Sequence, residues 1–519
     1  MFLPKMPPAR PLLWLTVIAL LPRLLAAIFS QGYFAHDDHF LVIEAAHSWV
    51  KGHDYNDWLP WNQGDDPTPS GHSFVYVGAH FLLFSALDAM GMQDPKALML
   101  VVRLLHVLLS LVVVRTGYRI AVRLAGADIG WRCGLFLALF FFMPFISARN
   151  LFEVACIPFL MLGAWQLVKR NEGPTSTDVL VAGLWIGMAM NIRFQVLFFA
   201  VGPGLVLLFG HWRKALVYGL GVATSLLVLQ GGIDWFIWGR PFAEITEYVQ
   251  YNMANTTTYF DAPWWFYLPW LAGVFIPPLS VLVFFGYFSA WRSFNPLAGS
   301  GRAQIRMTAL LWVPVFLFIA FHSWHPNKQD RFILTILPLF FIIGYCAWEQ
   351  WRLASSWWKS HGGLWNGIVR WTWTLNTVLL IGLTFTYSKR SRCEAMYLLR
   401  DEPDVTGIII EDTREGEAPQ APLFYLGNYK AGLVYLNSDT TDQRAALLGK
   451  EAGRRPNAVC FIGTEDLAQR RMAMERQLGT LTPIGKAHPG LVDRIVHWLN
   501  PVNRNETIAV YRLNVEARP

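Results

Sequence analysis

Two adjacent carboxylates, a third acid and three imidazoles crowd into Ala35-His-Asp-Asp-His-Phe-Leu-Val-Ile-Glu-Ala-Ala-His47. This stretch follows directly on the apolar run Leu12–Phe29. Acids beside lipid are costly to keep, so they point to chemistry rather than accident. If 37–50 is helical, Asp37, Glu44 and His47 share one broad face, because steps of seven and three residues nearly realign. Asp37 and Glu44 then stand about 10 Å apart along the axis. That is too far to share a proton, and suits two parts of one substrate. A carboxylate at Asp37 or Asp38 can accept the proton of an attacking hydroxyl. The alternative is an N-cap, in which either acid satisfies free backbone N–H groups. The His36-Asp-Asp-His39 cluster also raises a metal, with His53, Asp54, His72 and His80 within the same loop. Successive residues rarely converge on one ion, so no metal is expected.

A second cluster is Trp324-His-Pro-Asn-Lys-Gln-Asp-Arg-Phe332. Lys328 and Arg331 suit a phosphate, the arginine by two parallel hydrogen bonds and the lysine as a point charge. The alternative is a pair of cations snorkelling at a helix end. A third runs from Ile233-Asp-Trp-Phe-Ile-Trp-Gly-Arg-Pro-Phe242 through Tyr248-Val-Gln-Tyr-Asn252 to Asn255. It reads as an aromatic interfacial loop with polar groups for a sugar, among them Asp234, Tyr251 and Asn252. Arg149, Asn150 and Glu153 either line the same cleft or cap a helix.

The elements that must carry these groups are membrane spans. The chain is 54% hydrophobic and only 15% charged, far from the balance of a soluble domain. Apolar runs of about 20 residues mark spans near 12–30, 97–116, 131–148, 151–168, 178–192, 194–210, 214–233, 266–290, 306–323, 332–349 and 366–387. Lys5 and Arg10 before the first run hold that end in the cytoplasm, and the acidic loop faces outward. The same order puts Arg115, Arg119, Arg123, Lys169, Arg170, Arg213, Lys214, Arg292, Arg302, Arg306, Arg352 and Lys359 inside. Arg149, Arg240, Lys328 and Arg331 are outward exceptions. The net charge of +7 fits cytoplasmic loops near anionic lipid, with no nucleic-acid partner expected. The first apolar run is too long, and lacks the cleavage site, for a removable signal peptide.

The sequence thus predicts a polytopic α-helical membrane protein of about eleven spans over residues 1–389. Outward loops occupy 31–96 and 234–265, and a small outward-facing soluble α/β domain occupies 390–519. In the first loop a turn over Gln63–Gly71 leads into an amphipathic stretch, His72–Met90, suited to a membrane surface. In the tail, β-like runs at 407–411, 433–436, 458–462 and 508–511 alternate with helix-like stretches at 440–452 and 465–477. The tail carries no catalytic motif, and its expected work is covering or guiding substrate. Cys133, Cys156 and Cys346 read as small hydrophobes. Cys393 and Cys460 leave a disulfide open. Asn255-Thr-Thr257 and Asn505-Glu-Thr507 are acceptor sequons.

Taken together, the three loops resemble the GT-C membrane glycosyltransferases, specifically the α-mannosyltransferases of the dolichol-oligosaccharide and GPI-anchor pathways. The early Asp-Glu-x-Phe of that family reads Asp37-Asp38-His39-Phe40 here, followed by Glu44 and His47. Its later loop corresponds to Asp234, Phe236 and Gly239, Tyr251-Asn252, and Pro263-Trp264-Trp265. Its His-Lys-Glu-x-Arg-Phe element appears as Asn327-Lys328-Gln329-Asp330-Arg331-Phe332. The resemblance implies a GT-C fold and inverting transfer of a hexose, mannose first, from a polyprenyl-phosphate sugar. The acceptor would be a lipid-linked or cell-surface glycan. It implies Asp37 as general base, with Lys328 and Arg331 on the leaving phosphate, and no cofactor or metal. The alternatives are a GT-C transferase of aminoarabinose or galacturonic acid to lipid A or polysaccharide, and a lipid or sugar transporter. The expected compartment is a bacterial inner membrane with the site toward the periplasm; the endoplasmic-reticulum lumen is the alternative.

Overall fold

The computed structural model describes residues 8–258, 260–291, 302–414, 418–436 and 455–514. These are mainly helical, with one five-stranded sheet toward the C-terminus. Among the described residues, five helical stretches are long and apolar enough to cross a membrane: Pro11–Phe29, Pro95–Ala125, Phe194–Trp238, Met307–Trp324 and Asp330–Ala354. Shorter apolar helices lie at Phe152–Val168, Ser176–Ile192 and Leu279–Ala290, along three more of the expected runs, and at Phe74–Ala89, where no span was expected. The chain is an integral membrane protein. The expected division between 210 and 214 falls at His211, whose φ of −155° and ψ of 77° break an otherwise helical run. Phe74–Ala89 is apolar on all sides rather than amphipathic, with Phe74, Val77, Phe84 and Leu87 buried and Leu82 exposed.

The chain separates into two compact units. The first comprises Met1–Ala27, Trp58–Tyr76 and Val102–Thr384. Its helices pack closely: a Cβ on Gly286, in Leu279–Ala290, would overlap the Gly344 carbonyl of Leu337–Ala354. Such small residues let apolar helices approach where no hydrophobic drive exists. Arg23 is buried in the first helix, where its guanidinium donates to the carbonyls of Leu137 and Ala138 at 2.9 and 2.7 Å. Those carbonyls end the helix Ala127–Leu139 and have no partner within it, so the cation meets the negative end of a helix.

The second unit comprises Ile28–Asp57, Val77–Val101 and Phe385–Pro519. Its strands are β1 (Gly407–Glu411), β2 (Gly432–Leu436), β3 (Ala458–Ile462), β4 (Thr480–Ala487) and β5 (Ile508–Asn514), in the order β2-β1-β3-β5-β4. β1 pairs in parallel with β2 and β3, while β5 runs antiparallel to β3 and β4. β1 and β3 are buried along their whole length, which explains their apolar runs Gly-Ile-Ile-Ile and Ala-Val-Cys-Phe-Ile; Glu411 at the end of β1 pairs with Arg470. Ile409, Val459, Phe461, Ala509 and Tyr511 form a core with Met474 and Leu478 from the helix Leu467–Leu478. The expected helix at 440–452 lies outside the described residues. Cys393 and Cys460 are buried and unbridged, as are the other three cysteines. Asn505 is also buried, its amide oxygen accepting from Lys389 Nζ at 3.2 Å, so that sequon is closed in the folded chain.

Candidate functional site

In the second unit the acidic motif forms three helical pieces, His36–Asp38, a π-helical turn His39–Glu44, and Ala45–Val50. Asp37 and Asp38 occupy the first turn, where negative side chains are favoured. Asp38 is buried and Asp37 half-exposed. The π turn bonds residue i to i+5, so it brings together side chains that an α-helix would turn apart. His39 Nε2 accordingly lies 3.2 Å from Glu44 Oε1. Tyr33 stacks on the His39 ring at 4.5 Å. Glu44 Oε1 also accepts the Phe424 N–H at 2.9 Å.

One turn further on, His47 Nδ1 lies 2.9 Å from the Tyr429 hydroxyl. The rings of Phe84 and Phe424 pack edge-on against His47. Burial pushes the imidazole down to about 4, aided by the Lys51 cation and opposed by Asp88, so His47 is neutral at pH 7. Burial and the neighbouring Glu44 raise the Tyr429 phenol. Gln420 donates to the Tyr55 hydroxyl at 2.6 Å. Glu44 and His47, expected to meet substrate, are both buried and committed to the 423–429 segment. Their partners come from the tail, which nothing in the motif itself announces.

In the first unit, Asp234 is buried in the first turn of Gly232–Trp238. Its Oδ1 accepts from Gln230 Nε2 at 2.8 Å and its Oδ2 from the Glu244 N–H at 3.2 Å. It thus satisfies an otherwise open N–H at the start of Ala243–Ala254. Glu244, which the sequence did not single out, closes the network. Its Oε2 accepts from Ser70 Oγ at 2.9 Å and from the backbone of Gly71 and His72 at 2.7 and 3.2 Å. Its Oε1 accepts from Trp238 Nε1 at 2.9 Å. Burial pushes this carboxyl up to about 7, against the pull of its donors. On the helix so anchored, Tyr251 is exposed, while Asn252 Nδ2 donates to the Tyr248 carbonyl at 2.8 Å.

The segment Asn327–Phe332 lies beside residues 260–262: Lys328 N–H donates to the Phe260 carbonyl at 3.0 Å, and Asp261 bridges Asn327. Lys328 is buried with Nζ donating to the His325 carbonyl. Burial lowers its ammonium and Asp261 works against that. Arg331 Nε donates to Gln329 Oε1 at 2.7 Å.

Arg193, which sequence reasoning passed over, organises this region. It donates to the Phe332 carbonyl and Thr335 Oγ1 at 2.9 Å each, and to Gln195 Oε1 at 3.1 Å. Its second terminal nitrogen lies 3.5 Å from Glu153 Oε1. The one available signal was an arginine in a short outward turn, Asn191-Ile-Arg-Phe-Gln195. Glu153 Oε2 and Asn327 Oδ1 are buried without hydrogen-bond partners among the described residues. Among the described residues, no three His, Cys, Asp or Glu side chains gather as a metal cage.

The whole chain shares its fold with ArnT from Cupriavidus metallidurans bound to undecaprenyl phosphate. The TM-score is 0.61 at 11% identity, covering 99% of this chain and 100% of that one. Mannosyltransferase APTG1 of Arabidopsis thaliana is 21% identical over 350 residues, 64% of this chain, which spans only 58% of that relative's length. GPI mannosyltransferase 3 of Yarrowia lipolytica is 23% identical over 399 residues, 74% of this chain and 70% of that one. Residues 13–406 match the model of the Alg9-like mannosyltransferase family. With three-quarters of its length and all three loops inside that match, the chain belongs to the Alg9-like mannosyltransferase family.

Proposed function

We propose that the protein transfers a hexose, mannose first, from a polyprenyl-phosphate sugar to a lipid-linked or surface glycan, with inversion at the anomeric carbon. The observation that carries this reading is the division of labour within the acidic motif. Asp38, His39, Glu44 and His47 are buried, and Asp37 is the carboxylate of the group that meets solvent. Asp37 therefore takes the proton of the acceptor hydroxyl as it attacks the sugar. Asp38 supports the turn that holds it. The anomeric bond to the lipid phosphate breaks, and Lys328 and Arg331 stabilise the departing phosphate. Arg193 fixes the backbone that carries them. Tyr251 and Asn252 supply sugar contacts beside the Asp234–Glu244 network. The chemistry needs no cofactor.

The fold relative bound to undecaprenyl phosphate supports a polyprenyl carrier. The names of the mannosyltransferase relatives support the sugar. Eleven spans, a cytoplasmic N-terminus and a periplasmic site in a bacterial inner membrane complete the proposal. The test is sugar transfer by the purified chain in detergent, offered polyprenyl-phosphate mannose and a crude lipid extract as acceptor. Asp37→Asn abolishes transfer, while Asp38→Asn lowers it. Activity unchanged by Asp37→Asn removes the base. Activity with a polyprenyl-phosphate aminosugar alone replaces the mannose.

A further inference from the structure

The helix Leu491–Leu499 in the second unit carries an apolar face that none of the described residues covers. Leu491, Trp498 and Leu499 are 73%, 79% and 69% exposed, and Ile495 lies with them. Their spacing of four, three and one residues puts them on one side of a helix. Val502 extends the face onto the turn Pro501–Asn503, which Asn500 caps by accepting the Val502 N–H. The opposite side is polar and inward: Asp493 is buried and His497 half-buried.

The placement of this helix says what covers it. Asp493 accepts the backbone N–H groups of Lys389 and Arg390, each at 3.0 Å. Ser388, next in the chain, donates its N–H to the Gln31 carbonyl at 3.0 Å, and the Phe385 ring meets Phe29 at 5.0 Å. Phe29 ends the first membrane-spanning helix. The apolar face is therefore tied by two short links to the point where a span leaves the bilayer. Exposed Arg494, on the same helix, borders it, as cations border a helix resting on anionic headgroups.

We propose that Leu491–Leu499, with Val502, lies in the headgroup layer of the leaflet where the first span ends, anchoring the sheet-bearing tail to lipid. A tryptophan with an apolar body and an N–H at its rim suits that layer. The proposal is independent of the sugar, the donor and the catalytic base.

The test uses the full chain in vesicles of phosphatidylcholine with phosphatidylglycerol. The five native cysteines are buried, so a nitroxide goes selectively onto Trp498→Cys or Leu491→Cys, with Gln477→Cys on the exposed side of Leu467–Leu478 as reference. Power saturation with oxygen and a water-soluble nickel chelate then reads depth. Both helix labels are expected about 5–10 Å below the headgroup surface, and the reference label in water. Helix labels as water-exposed as the reference overturn the proposal. So does shielding that persists in detergent and vanishes on dilution, which would make the occupant a second copy of the chain.

Discussion

Acid should loosen the second unit through His47. In the folded chain burial holds this imidazole at about 4, whereas in the unfolded chain it titrates near 6.5. As pH falls through that window the unfolded chain takes up a proton that the folded chain refuses, so folding stability falls with pH and the loss is complete below about 4. At about 1.4 kcal/mol per pH unit, the window is worth about 3 kcal/mol. That is a large share of the roughly 5–15 kcal/mol that holds a typical domain. The assay is thermal unfolding in detergent from pH 7.5 to pH 4 (roughly the span of the titration), for the natural chain and for His47→Gln. Amide exchange at Phe424, bonded to Glu44, is followed alongside. Glutamine keeps a polar group toward Tyr429 and cannot charge. Titration of the carboxylates is common to both chains, so the difference isolates the imidazole. It should be flat above pH 7 and change by about 3 kcal/mol below it. Parallel curves would refute the argument.

Two further outcomes follow from the first unit. Both oxygens of Glu244 meet donors alone, and an amide would turn its NH2 against one of them. Glu244→Gln should therefore cost about 1–3 kcal/mol and speed amide exchange at Gly71 and His72; unchanged exchange there would count against the network. Arg193→Lys keeps the charge but loses the planar fork that reaches Phe332, Thr335 and Gln195 together. Transfer should drop about tenfold, the equivalent of one lost charged hydrogen bond; a natural turnover rate with lysine would show that charge alone suffices.

The helices were legible because a span must be a long apolar run, and even the break at His211 appeared as His-Trp-Arg-Lys between two such runs. The central strands were legible for the same reason, being buried on both sides. β4 was not. Thr-Leu-Thr-Pro-Ile-Gly-Lys-Ala is an edge strand with a bulge between Pro483 and Gly485, where polar residues, proline and glycine are all tolerated. The π turn at 39–44 left no trace either, because it changes the hydrogen-bond register without asking for a different composition. Its consequence, the pairing of His39 with Glu44, follows only once the register is known. Asp234 and Glu244 show a similar limit: sequence offers an acid, but only the fold says whether its oxygens are already taken.

Gln329 shows what a departure from the family pattern does physically. The family places a carboxylate there, and this chain an amide. The amide oxygen still accepts from Arg331 Nε, so the guanidinium stays oriented. A carboxylate would orient it equally and also neutralise it. With glutamine, the segment from Asn327 to Phe332 holds two cations, Lys328 and Arg331, against one acid, Asp330. That acid is itself engaged with the Arg331 N–H through Oδ1 at 2.8 Å. Lys328 is buried, where an ammonium is expensive to keep even with the His325 carbonyl and Asp261 beside it, and gains from an arriving anion. The exchange of acid for amide thus leaves the geometry of the proposed phosphate site in place and shifts its charge balance by one toward the anion it would hold.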